Sequence, residues 1–183
     1  MKYTLSLALA LIFSISAFAQ SDRPKELTPM ILSKIKADVD KDAVKFKQSL
    51  VKKYLLISEI NFSVDTFKVE RIAAKRMDVD YSTSGMNNTM NDRAAAYDKL
   101  LNKYYKMLLT ALKPADKASL VAAQRSWIAY RDAESKLIYI LRKQEYSGGG
   151  TIQSNIASAA YADLVVERTL KIFDYYNKMV GQN

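Results

Sequence analysis

Two chemically versatile residues are missing from this chain. Among its 183 residues there is no cysteine and no histidine. Without them there is no Ser-His-Asp or Cys-His nucleophile, no ordinary zinc site and no imidazole pH switch. No disulfide can form, so the fold must hold by packing alone. Nor can a lipid be attached to an N-terminal cysteine. Glycine and proline are scarce, at 5 and 3 residues, and tryptophan occurs once. Acidic residues are also in short supply, 19 against 28 basic ones. Such a surplus of positive charge favours anionic partners.

Only one stretch is strongly apolar. Lys2 precedes an apolar run over residues 5–18, and Ala17, Phe18 and Ala19 form an A-x-A cleavage signal ahead of Gln20. The run is too short for a membrane span, which needs about 20 apolar residues, and it reads as a cleaved secretory signal over residues 1–19. The mature chain is then expected in the periplasm or outside the cell, with no transmembrane segment and a net charge of +8 once Lys2 is removed from the +9 total. Export argues against nucleic acid as a partner.

The rest is a series of helical patterns. Thr28 and Pro29 form an N-cap and first-turn proline. Ile31, Ile35, Val39, Phe46 and Leu50 then recur at helical spacing to near residue 54. Asp38, Asp40 and Asp42 imitate the start of a calcium loop, but Ala43 and Ser49 stand where glycine and glutamate are required, so no metal site is expected. Residues 55–62 suit a short strand or a helix end. Residues 63–77 suit a short helix capped by Ser63 or Asp65, and residues 80–85 a loop. A second long helix is expected from Met86 to Leu112 and a third from Asp116 to about Glu145, joined at Pro114. A last helix follows Thr151, with Ile152, Ile156, Ala159, Asp163, Val166, Leu170 and Phe173 expected on its core face. Short links between long amphipathic helices predict an all-α antiparallel helical bundle, three long helices plus an N-terminal helical extension over residues 20–85, packed as one unit with residues 86–183.

Residues 122–135, A-A-Q-R-S-W-I-A-Y-R-D-A-E-S, hold the polar residues that need explaining. One face of this helix carries Leu120, Ala123, Gln124, Trp127, Arg131, Glu134 and Ile138. On the preceding helix Asn91, Ala94, Asp98, Leu101, Asn102, Tyr105, Leu109 and Leu112 share a face. Folding the two about Pro114 sets Asp98 level with Arg131, Asn102 with Trp127, and Tyr105 with Gln124. This register predicts an ion pair between Asp98 and Arg131 and a hydrogen bond between Tyr105 and Gln124. Buried polar groups need such partners. The cluster is either a satisfied network that fixes helix register or a binding groove lined by Trp127, Arg131 and Glu134. Asp132 and Glu134 are the nearest approach to a carboxylate pair for hydrolysis, with no partner base in view, and no catalytic residue is assigned. Gly148, Gly149 and Gly150 lack a phosphate-loop pattern and predict a turn.

The same residues resemble a known family. The pattern runs from Met86 and Asn87 through D-x-x-L-N-x-x-Y (Asp98, Leu101, Asn102, Tyr105) to A-Q-R-S-W-I-A-Y-R-D-A-E, then G-G-G-T-I and a later E-R. Over residues 86–175 it is similar to the LprI-type lysozyme-inhibitor domain. The resemblance marks Asp98, Leu101, Asn102, Tyr105, Ala123, Gln124, Trp127, Arg131, Asp132, Gly149, Gly150 and Arg168. It implies a small exported helical protein that binds lysozyme or another envelope protein, without catalysis or cofactor. Family members usually carry cysteines where this chain has Thr89, Ser135 and Ala160, so their cross-links are missing here. Animal-type lysozymes are basic as well, and like charges slow encounter. The alternative expectation is a cationic module that binds anionic envelope lipid or glycan.

Overall fold

A computed structural model describes residues 23–53 and 55–181. The signal-peptide reading therefore lies outside the described residues. Among the described residues there are six helices: α1 (Pro29–Val51), α2 (Ile57–Val79), α3 (Thr83–Ala111), α4 (Lys117–Leu141), the short α5 (Gln144–Ser147) and α6 (Ile152–Val180), with a 3-10 turn at Pro114–Asp116 before α4. The protein is an all-α helical bundle, and none of the described helices is long and apolar enough to cross a membrane.

Local chemistry explains the helix starts. Thr28 accepts a hydrogen bond from the Ile31 N–H at 3.3 Å, with Pro29 in the first turn, as expected. The uncertain stretch after residue 55 is one continuous helix instead of a strand plus a short helix. At its start the Leu56 N–H donates to Glu59 Oε2 at 2.9 Å, so the orphan first-turn donor is met by a side chain three residues on. The loop before α3 is correspondingly shorter than residues 80–85, because Ser82 caps α3 by accepting from the Gly85 N–H.

The bundle is organised by α3 and α6, which share its largest interface. They run parallel. Asn87 is hydrogen-bonded to Ser154, Asn155 and Ser158, the Thr169 hydroxyl donates to the Tyr97 carbonyl at 3.2 Å, and Tyr104 packs edge-on to Phe173. Numbers rise together on the two helices. Toward the N-terminal ends of the two helices the inward residues are small, Gly85, Thr89 and Ala94 on α3 and Ala157, Ser158 and Ala162 on α6, and larger ones follow further along. This corrects the expected core face of α6. Ile152, Ile156, Asp163 and Leu170 point outward, while Val165, Thr169 and Ile172 are buried.

Helix α2 runs antiparallel against α3 and α6, and α1 folds back on α2. Phe62 of α2 stacks on Phe173 at 3.8 Å, and Tyr104 stands edge-on to Phe62 at 5.0 Å, an aromatic triad from three helices. About three turns away along α3, Arg93 joins Glu70 of α2 to Asp163 of α6. Burial alone would lower the Arg93 pKa, but these hydrogen bonds raise it. The extension is thus packed against the rest through both apolar and charged contacts.

Candidate functional site

Helix α4 is the outlier. Of its 25 residues only Leu120 is buried. Leu120 joins the core cluster that holds Leu108, so the hairpin register is right beside the turn. Beyond it α4 packs on α6 and barely touches α3. An open cavity of about 440 Å³ lies between α3, α4 and α6, lined by Asn91, Asp132, Ser135, Lys136, Tyr139 and Tyr161.

That separation overturns the predicted zipper. Arg131 does not pair with Asp98: its Nε and Nη2 both donate to Asp132 Oδ1, at 2.9 and 2.7 Å. Asp98 is satisfied within α3, where the Asn102 amide donates to its carboxylate at 3.1 Å and to its backbone carbonyl at 2.9 Å. Tyr105 does not bond Gln124 and packs instead against the core cluster. Gln124 accepts from Arg168 Nε of α6 at 3.0 Å. The expected pairings failed because they assumed that α3 and α4 stay in contact along their whole length.

The inward face of α4 was nonetheless read correctly except at Ala123, which is exposed. Gln124, Trp127, Arg131, Glu134 and Ile138 are all half-buried. Trp127 packs on the core cluster, and two guanidiniums lie over its ring, Arg131 at 5.4 Å and Arg168 at 5.8 Å from the centroid. Burial lowers the Arg168 pKa. With no carboxylate bonded to it among the described residues, Arg168 relies on the Gln124 carbonyl and the indole face. Trp127, Gln124 and Arg168 therefore form the clasp that holds α4 to α6. Asp132 is exposed, and Glu134 has no hydrogen-bond partner among the described residues. Gly149 and Gly150 lie in the turn before α6, with φ of 81° and 92° beside Gly148 at 77°, so left-handed backbone closes the link as expected. The glycines do not adjoin the Trp127 clasp in sequence or contact.

One exposed flank of α4 is apolar, while Arg125, Asp132 and Lys136 make the face opposite Trp127 polar. Tyr130, Leu137, Ile140 and Leu141 follow one another at helical spacing and are 43–53% exposed. Sequence reading passed over them because it sought inward faces. Runs of exposed large apolar residues on a charged protein are the signal that would have found them.

Among the described residues no group of three or more acidic, histidine or cysteine side chains is placed to hold a metal, and the unusual polar residues of α4 hold that helix against α6. A family model described as "Lysozyme inhibitor LprI" matches residues 73–171, more than half of the chain. The chain belongs to the LprI lysozyme-inhibitor family. The match begins inside α2, earlier than the residue-86 boundary expected from the motif, and takes in α3, α4 and most of α6. No curated protein and no solved structure shows significant similarity.

Proposed function

We propose that the protein is an exported, non-enzymatic inhibitor that grips lysozyme, or another envelope-directed protein, through the exposed apolar flank of α4. The carrying observation is the uncovered apolar stripe of Tyr130, Leu137, Ile140 and Leu141, which lies inside the family-matched segment. Interface hot spots favour aromatic anchors such as Tyr130, and exposed contiguous apolar patches mark interaction sites. Charge is less of an obstacle here than the whole chain suggests. Residues 120–170 hold six basic and five acidic side chains, so this part of the protein is nearly neutral.

Lysis of bacterial cells by lysozyme, followed as turbidity, tests the reading. The mature protein should slow clearing, and Leu137→Asp should abolish the effect while leaving the far-UV circular dichroism unchanged. Like-charged partners associate faster when screened, so inhibition should hold or strengthen from low to moderate salt. Undiminished lysis at a large excess of protein would remove the proposal. The rival reading, adhesion to anionic lipid or glycan through lysines, requires the opposite salt response.

A further inference from the structure

We propose that the cleft between α1, α2 and α3 is a binding site for a phosphate-type oxyanion, independent of the α4 surface. The cleft measures about 350 Å³, the size of a small-ligand pocket. Its lining includes Lys36 from α1, Lys68 and Arg76 from α2, and Thr89, Arg93 and Lys99 from α3, against one carboxylate, Asp92.

Two unmet donors sit in this wall. Thr89 is 1% exposed, and its hydroxyl has no hydrogen-bond partner among the described residues. The Arg76 Nε–H is also buried and unpaired, although the same guanidinium meets Asp92 through Nη1. Native proteins rarely leave buried polar atoms unsatisfied, and each such case calls for a cause. An acceptor-rich ligand supplies one, because both groups can donate.

Charge selects the ligand further. Lys68 is answered by Asp40, and Arg93 by Glu70 and Asp163. Lys36 and Lys99 have no acidic partner among the described residues, so the cleft keeps positive charge to spare. A cation would be repelled, and an apolar guest would leave both donors unmet. The donors arrive from three helices and therefore from different directions. A tetrahedral oxyanion offers acceptors to all of them, whereas a planar carboxylate offers two in one plane. Much of this wall comes from the extension: Lys36 and Lys68 precede the family-matched residues, while Arg76, Thr89 and Lys99 lie within them. The added helices thus complete a cleft that the matched segment alone does not close.

Titration calorimetry with inorganic phosphate, and flotation with phosphatidylglycerol or phosphatidylcholine vesicles, test the site on the mature chain. Thr89→Val keeps the shape, removes the orphan hydroxyl and should unfold at the same or a higher temperature than the parent. It should weaken phosphate binding by about tenfold or more, the order expected for a hydrogen bond to a charged group. Lys36→Gln combined with Lys99→Gln should weaken binding too, and Lys171→Gln on α6 should not. Binding to inorganic phosphate that Thr89→Val weakens identifies a free phosphate group. Thr89-dependent binding to phosphatidylglycerol vesicles alone identifies a lipid headgroup. Either result supports the proposal. Failure to bind in every arm, or binding that Thr89→Val leaves unchanged, overturns it.

Discussion

Replacing Trp127 by alanine should release α4 while leaving the other long helices folded. Truncating a fully buried tryptophan costs about 3–5 kcal/mol. Trp127 is only half-buried, which scales that to about 2 kcal/mol. The guanidiniums of Arg131 and Arg168 lie 5.4 and 5.8 Å from the ring centroid, and each cation–π contact adds about 0.5–1 kcal/mol at a partly exposed site. The expected loss is therefore about 3 kcal/mol, and it falls on a helix with little else to hold it, since only Leu120 is buried there. Hydrogen exchange read by mass spectrometry is the suitable assay, because regions of low local stability open independently of the global transition. Peptides from Lys117–Leu141 should lose protection in Trp127→Ala, while those from Thr83–Ala111 and from Ile152–Val180 beyond Arg168 keep theirs. Equal loss of protection along α3 and α6, or no loss in α4, would refute the idea that this indole is the clasp. In the parent protein Trp127 is the sole tryptophan, so its fluorescence should report the docking of α4 directly.

Other outcomes follow from the core and from the hydrogen bonds of its tyrosines. Phe62→Ala removes the ring stacked on Phe173 and should cost about 3–5 kcal/mol in urea unfolding; a loss under about 1 kcal/mol would show that α2 is not packed on α3 and α6. The Tyr97 phenol donates to Glu70 Oε1 at 2.8 Å, and burial, then this bond, raises its pKa above the ordinary 10.0. The folded state thus holds this proton more tightly than the unfolded chain, so the associated stability is complete below pH 10 and lost as pH rises above it. Burial and the bond to Asp65 raise Tyr104 in the same direction. Tyr97→Phe should flatten part of that alkaline decline in a thermal-unfolding series, and a decline unchanged by the substitution would count against the cause given.

Legibility varied with side-chain size. The inward face of α4 could be read because Leu120 and Trp127 are large and mark it. The face of α6 was misread because its first half meets α3 through Ala157, Ser158 and Ala162, which carry little hydropathy, and only Val165 and Ile172 further along mark the buried side with large apolar groups. Small residues let two backbones close together, and a search for large apolar residues then chooses the wrong side. Tyr97, Tyr104 and Leu108 on α3 were overlooked for a related reason. A hairpin was assumed to pair sequence neighbours, so the face toward α4 was taken as the main one, when α3 meets α2 and α6 more fully. Glu70, Arg93 and Asp163 come from three separate helices, and no local spacing signals such a clasp. The start of α1 and the glycine turn were readable because a cap, a proline and left-handed backbone are local chemistry, whereas α2, the start of α3 and the end of α4 fell several residues from where they were expected.

The parallel pairing of α3 and α6 has a consequence for how the surface can change. Two helices pointing the same way oblige the chain to travel back between them, and α4 makes that journey, about 38 Å at 1.5 Å per residue. Its duty is transport more than cohesion. A strut of this sort can swap its outward residues freely, since the interior does not register the exchange; a library randomised at Tyr130, Leu137, Ile140 and Leu141 should keep folding and differ only in what it grips.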